Sequence, residues 1–104
     1  MDDAEFARYW VDNRERFRPR GLRGLRYELQ SKGIDNEVID EALASVDPSA
    51  SAYRAADKKA QQFRNLEESV FERKLVEYLA RRGFAYDIAQ EVARRHWQAL
   101  MAEE

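Results

Sequence analysis

Leu25-Arg26-Tyr27-Glu28-Leu29-Gln30-Ser31-Lys32-Gly33-Ile34 has an echo later in the chain, Leu75-Val76-Glu77-Tyr78-Leu79-Ala80-Arg81-Arg82-Gly83-Phe84. Each stretch sets two leucines at i and i+4, a basic residue before a glycine, and a large apolar residue after it. That order describes the end of a helix. Glycine enters the left-handed conformation without a steric cost, Lys32 or Arg82 faces the orphan carbonyls of the last turn, and Ile34 or Phe84 folds back onto it. A second apolar period follows each glycine: Val38, Ile39, Ala42 and Leu43 after the first, Ile88, Ala89, Val92 and Ala93 after the second. The unit is helix, tight glycine turn, helix, written twice, and repetition sets the architecture before any single motif is read.

Outward from these turns the remaining helices take their places. Asp2 or Asp3 caps a first helix over residues 3–16, with Phe6, Trp10 and Phe17 on its inner side and Tyr9 beside them. Pro19 breaks that helix in Arg18-Pro19-Arg20, and a second helix begins near Pro19 or Gly21, turns Leu22, Leu25 and Leu29 inward, and stops at Gly33. Asp35 caps the third, which reaches about Val46. Asp47-Pro48 is the cap and first turn of a fourth, with Tyr53, Ala56, Ala60 and Phe63 inward. Asn65-Leu66-Glu67-Glu68 has the form of a capping box and starts a fifth helix, through Phe71, Leu75, Tyr78 and Leu79 to Gly83; a sixth covers residues 86–101. No stretch alternates with period two, so no sheet is expected. The fold class is all-α: two tandem three-helix repeats, residues 1–46 and 47–104, stacked into an elongated helical array because neither repeat has much core alone.

Composition narrows the chemistry. The chain has 104 residues, 18 Lys and Arg against 20 Asp and Glu, a formal charge of −2 and no cysteine, which excludes disulfides, thiolate catalysis and cysteine zinc sites. No apolar run approaches the roughly 20 residues of a membrane span, and the N-terminus is acidic rather than signal-like, so a cytoplasmic protein without a membrane partner is expected. Charge is distributed unevenly. Arg14, Arg16, Arg18, Arg20, Arg23, Arg26 and Lys32 face only Glu15 and Glu28 in their segment, whereas residues 35–47 hold Asp35, Glu37, Asp40, Glu41 and Asp47 and no base.

The basic segment is the candidate binding site. Arg23, Arg26 and Gln30 fall at i, i+3 and i+7, opposite the leucines. The fifth helix pairs its own charges at i and i+4, Arg73 with Glu77 and Glu77 with Arg81; Arg18, Arg20, Arg23 and Arg26 find little acid at that spacing beyond Glu28 with Lys32. An unneutralised stripe of Arg14, Arg18, Arg20, Arg23, Arg26 and Lys32 suits phosphate or an acidic protein groove, although a merely solvated face shows the same pattern. Phe6, Trp10, Phe17, Phe63, Phe71, Tyr78 and Trp97 sit at core spacing, while Tyr27 and Tyr86 fall off the apolar stripes and are free to stack on a partner. His96, at a surface edge, lacks the companions a metal needs. No nucleophile beside a base, carboxylate pair or glycine-rich phosphate loop is present, so no catalytic residue, cofactor, metal or small-molecule substrate is expected.

Asp2-Asp3, Phe6-Ala7, Val11 and Arg14, followed by Arg18-Pro19-Arg20, Leu25, Glu28-Leu29 and Lys32-Gly33-Ile34, resemble the second repeat of the RecX regulatory proteins. Leu79-Ala80-Arg81-Arg82-Gly83-Phe84 and Ile88 are similar to the third repeat, so the resemblance spans nearly the whole chain. It implies a non-enzymatic modulator of homologous recombination, DNA repair and the SOS response. Such a protein lies in the groove of the RecA nucleoprotein filament and inhibits its recombinase and co-protease activities, with single- or double-stranded DNA as a further partner. Members of that family usually carry another repeat ahead of this point, which implies either a natural short form or a truncated piece of a longer chain. Two other readings compete. Leu25, Leu29, Gly33, Ile34 and Val38 mimic a helix-turn-helix DNA reader, but Asp35, Glu37, Asp40 and Glu41 would turn phosphate away from its recognition helix. A helical protein-interaction adaptor without nucleic acid is the other.

Overall fold

Over residues 2–103, which the computed structural model describes, the chain forms α1 (Asp3–Phe17), α2 (Leu22–Ser31), α3 (Asn36–Leu43), α4 (Pro48–Gln62), α5 (Glu68–Arg81) and α6 (Tyr86–Ala102), with no strand among the described residues. Met1 and Glu104, the outer bounds of the expected repeats, lie outside the described residues. The helices form two tandem triplets stacked end to end in a body of 51 × 20 × 18 Å.

Caps decide where the helices begin. The Asp2 carboxylate accepts from Ala4 N at 3.0 Å and Glu5 N at 3.4 Å, and Asp47 accepts from Ser49 N at 3.1 Å and Ala50 N at 3.2 Å, with Pro48 in the first turn. Of the two starts expected for α2, the one at Gly21 is taken: the helix begins at Leu22 with Gly21 as its cap residue. Two other starts differ from the expectation. Asp35 holds the cap position of α3, but its side chain makes no capping hydrogen bond. The capping box at Asn65 does not form: Leu66 N is already bonded to Phe63 O at 3.0 Å in the turn after α4, so α5 starts only at Glu68 behind Glu67. α3 also stops at Leu43, short of Val46, whose N–H closes a turn onto Leu43 O at 3.1 Å.

The glycine turns form as the repeated stretch requires. Gly33 and Gly83 have φ of 81° and 89°, the positive values found among the described residues. Gly33 N bonds Gln30 O at 2.9 Å and Ile34 N bonds Leu29 O at 3.1 Å; Gly83 N bonds Ala80 O at 3.0 Å and Phe84 N bonds Leu79 O at 3.1 Å. Both are Schellman ends, and Ile34 and Phe84 are buried against the turns they close.

Stacking does not merge the cores, contrary to the expectation that each repeat needs the other's apolar surface. Leu25, Leu29 and Ile39 lie in one cluster and Phe71, Leu75, Leu79 and Val92 in another, and every extensive helix pairing falls within one triplet. Contact between triplets is made instead by backbone. Gly21 N donates to Arg82 O at 2.9 Å, and a Cβ on Gly83 would stand 2.5 Å from Gly24 N. Glu15 reaches across as well, accepting from Ser51 Oγ at 2.6 Å and Arg54 Nη2 at 2.9 Å.

Three side chains sit elsewhere than their spacing suggested. Phe17 is 69% exposed and Leu22 37% exposed, because each is a helix-end residue that no neighbouring helix covers. His96 is buried: it continues the inner stripe of Ala89, Val92 and Ala93, stacks on the Tyr53 ring at 3.8 Å, and places Nε2 2.9 Å from Tyr53 O.

The two glycine turns should therefore respond unequally to a side chain. Gly33 has open space around it, so Gly33→Ala should cost only the left-handed backbone term of about 1–2 kcal/mol. Gly83→Ala should add about 1–3 kcal/mol for forcing two backbones apart. Urea denaturation of both variants measures the difference, and equal midpoints would mean the Gly83 contact does not hold the triplets together.

Candidate partner-binding surface

The six basic residues do not form one open stripe. Arg14 comes from the last turns of α1, Arg18 and Arg20 from the turn around Pro19, and Arg23, Arg26 and Lys32 from α2 and its cap. Packing of both α1 and α2 on α3 brings Trp10 and Arg14 onto Glu28. Glu28 Oε1 accepts from Trp10 Nε1 at 3.0 Å and Arg14 Nε at 3.2 Å, while Oε2 lies 3.2 Å from Arg14 Nη2 and 3.4 Å from Arg20 Nε. Arg26 pairs with Asp40 of α3. Lys32, expected to pair with Glu28, lies over the Trp10 ring at 5.0 Å, which Arg14 also approaches at 4.9 Å. The expected shortage of acid is thus corrected: Arg14, Arg20 and Arg26 have carboxylate partners, and all three pairs join residues too far apart in the chain for the i, i+4 rule to find.

Arg18 and Arg23 remain. Both are exposed, and among the described residues no carboxylate lies within ion-pair distance of either. A further cation joins Arg18 from the second triplet. Arg82, read from sequence only as a helix-end residue, donates from Nε to Pro19 O at 3.2 Å and from Nη2 to Arg18 O at 3.4 Å. Burial pushes its guanidinium below the ordinary arginine value; Tyr78 opposes that push, and Arg18, Arg20 and Arg14 add to it. Positive charge at this joint is therefore incompletely answered by the protein itself, which is the electrostatic condition for holding an anion. Repetition was the one signal for Arg82, since it occupies the place of Lys32 before the second glycine.

On α5, Arg73 Nε reaches Glu77 at 3.9 Å, while Arg81 makes no such pair. The acids of α3, Asp35, Glu37, Asp40 and Glu41, are all exposed. Tyr27 and Tyr86 are exposed too, as their positions off the stripes require. No group of three or more His, Cys, Asp or Glu side chains among the described residues is placed to hold a metal ion, and no helix among them is long and apolar enough to cross a membrane.

Comparison with known proteins yields two family matches. Residues 2–43 match the family model for the second three-helix domain of RecX, and residues 47–101 match the model for the third. Among curated proteins, the chain is 38% identical over 96 residues to the regulatory protein RecX of Mycobacterium avium, covering 88% of this chain and 56% of that protein. It is 39% identical over 99 residues to the regulatory protein RecX of Mycolicibacterium smegmatis, covering 88% and 53%, and 43% identical over 84 residues to that of Chlorobium phaeobacteroides, covering 81% and 55%. The chain spans about half the length of the curated relatives it matches. No solved structure matches it significantly.

The Glu28 cluster generates a stability test. Glu28, with its side chain 13% exposed, has three partners, whereas Asp40 is 64% exposed with one. Glu28→Ala should cost about 1–3 kcal/mol by leaving Arg14, Arg20 and Trp10 without an acceptor, and Asp40→Ala at most about 1 kcal/mol. Chemical denaturation decides it; an Asp40 variant as unstable as the Glu28 variant would remove Glu28 from the centre of this surface.

Proposed function

We propose, since this chain belongs to the RecX family, that it is a non-enzymatic modulator of homologous recombination that binds the RecA filament on DNA and inhibits its recombinase and co-protease activities in the cytoplasm. Family membership supports a regulatory role. The single observation that carries the binding surface is that Arg18 and Arg23 are exposed and have no carboxylate partner among the described residues, with the Arg82 guanidinium held against the Arg18 carbonyl from the second triplet. Arg14, Arg20, Arg26 and Lys32 line the approach but are already engaged within the chain, so they act chiefly by shaping the surface. Arginine suits a filament built of protein and phosphate, because its planar fork grips a carboxylate or a phosphate with two bonds. The exposed acids of α3 weigh against a helix-turn-helix reader, whose second helix must enter a groove lined by phosphates.

Inhibition of RecA-driven ATP hydrolysis on single-stranded DNA provides the test. The double variant Arg18→Glu, Arg23→Glu should keep the parent's melting temperature and require at least tenfold more protein for half inhibition, about 1.4 kcal/mol, with a larger deficit at low salt. Arg73→Glu, Arg81→Glu on α5 should shift the curve less. Loss of inhibition in the α5 variant with full activity in the first would place the binding surface on the other triplet.

A further inference from the structure

Contacts between the triplets gather at two places that differ in kind. Beside the covalent connection of residues 44–47, Glu15 accepts from Ser51 Oγ and Arg54 Nη2 at the edge of a hollow of about 250 Å³ that Ser45, Val46 and Asp47 also line. Away from that connection, Gly21 N donates to Arg82 O at 2.9 Å, and the Arg82 guanidinium reaches the carbonyls of Pro19 and Arg18 at 3.2 and 3.4 Å, both longer than the roughly 3.0 Å usual for such bonds. Between the two places lies a hollow of about 410 Å³, where Arg18 of the first triplet faces Lys58 and Arg82 of the second. Asp57 also lines it, yet among the described residues no carboxylate is within ion-pair distance of any of these three cations.

We infer that the triplets are hinged at residues 44–47, that the contact of Arg82 with the Pro19–Gly21 turn is the latch, and that a phosphate-like dianion seated between Arg18 and Arg82 holds the hinge closed. Each triplet keeps its own hydrophobic cluster, so opening exposes little apolar area, and a joint of that kind leaves relative motion as the default. Glu15 Oε1 is buried without a hydrogen-bond partner, a deficit of the closed joint that water makes good when it opens. Charge opposes closure at the latch itself. Burial is the main cause holding Arg82 below the ordinary arginine value; Tyr78 opposes it, and Arg18, Arg20 and Arg14, all of the first triplet, add to it across the joint. Two long hydrogen bonds and one between backbones hold against that repulsion. A dianion between the walls replaces it with a charge-assisted bond to each triplet. Arg82 commits Nε and Nη2 to the carbonyls and keeps Nη1 for the anion, so latch and anion do not compete. Chloride screens the repulsion but has no second oxygen with which to bridge. Because only the closed joint brings both cations to one anion, binding shifts the population toward it.

The hinge does not depend on the proposed function, so its test contains neither recombinase nor nucleic acid. The chain has no cysteine, and introduced ones therefore carry labels without competition. Glu5→Cys, Gln98→Cys places two nitroxides on exposed residues of α1 and α6, across the joint; Gln62→Cys, Gln98→Cys places two within the second triplet. Double electron–electron resonance on the full chain reads both separations in chloride and in inorganic phosphate at equal ionic strength. The cross-joint pair should show a broad distribution in dilute chloride that narrows to a single maximum in phosphate, while the pair within the triplet stays constant. Arg18→Gln, which removes the repelling charge and keeps the carbonyl, should give the narrow distribution already in chloride. Arg82→Met, which removes the latch, should stay broad in both. A single narrow distribution in every salt, equal effects of phosphate and chloride, or a phosphate response that persists in Arg82→Met overturns the inference. If phosphate leaves the joint unchanged while the Arg18, Arg23 variant fails to inhibit ATP hydrolysis, the hinge falls and the proposed function stands. If phosphate closes the joint while the Arg18, Arg23 variant inhibits as the parent does, the hinge stands and the proposed binding surface falls.

Discussion

Gly21 and Gly24 meet Gly83 backbone to backbone, and what the two triplets do jointly depends on that approach. A Cβ on Gly21 would stand 2.1 Å from Gly83 O, and one on Gly83 2.5 Å from Gly24 N, so neither position accepts a side chain while the joint is closed. Since each triplet keeps its own hydrophobic cluster, little apolar area reinforces the contact. Its rigidity comes from hydrogen bonds: Gly21 N to Arg82 O, the Arg82 guanidinium to the carbonyls of Pro19 and Arg18, and the Ser51 and Arg54 side chains to Glu15. These bonds also fix Arg18, which is carried by the segment that Arg82 clamps.

Electrostatics divides along the same joint. A net charge of −2 conceals an acidic face on α3 and a basic region where the Pro19 turn meets the end of α5. Glu28 decides how that region is organised: one carboxylate gathers Trp10, Arg14 and Arg20, ties α1 to α2, and leaves the remaining cations outside. Arg26 is drawn to Asp40, so part of the basic segment acts to hold α3 in place. Among the described residues these internal pairs do not reach Arg18 or Arg23, which flank the joint between triplets.

Much of this was legible in the residues. The two Leu-to-glycine stretches specified four helices, two Schellman turns and a tandem order, and Asp2 and Asp47 specified the helix ahead of each stretch, because capping, left-handed glycine and apolar period act within a few residues of each other. The basic segment was legible as composition, and the resemblance to RecX proteins, resting on ordered short motifs, is matched by both family models. Tertiary structure alone decided which cations were free, since Arg14 and Glu28 meet only once α1 and α2 have both packed on α3, and Arg82 reaches Pro19 only across the joint. It also decided that Phe17 faces outward: helical spacing says which side of a helix a residue is on, not whether a neighbour extends far enough to cover it. His96 shows the converse, a polar residue on the inner stripe that became core once Tyr53 supplied both a ring and a carbonyl. Local forces act between residues close in the chain and are written there; pairing and burial across the chain depend on distances that exist only after it has folded.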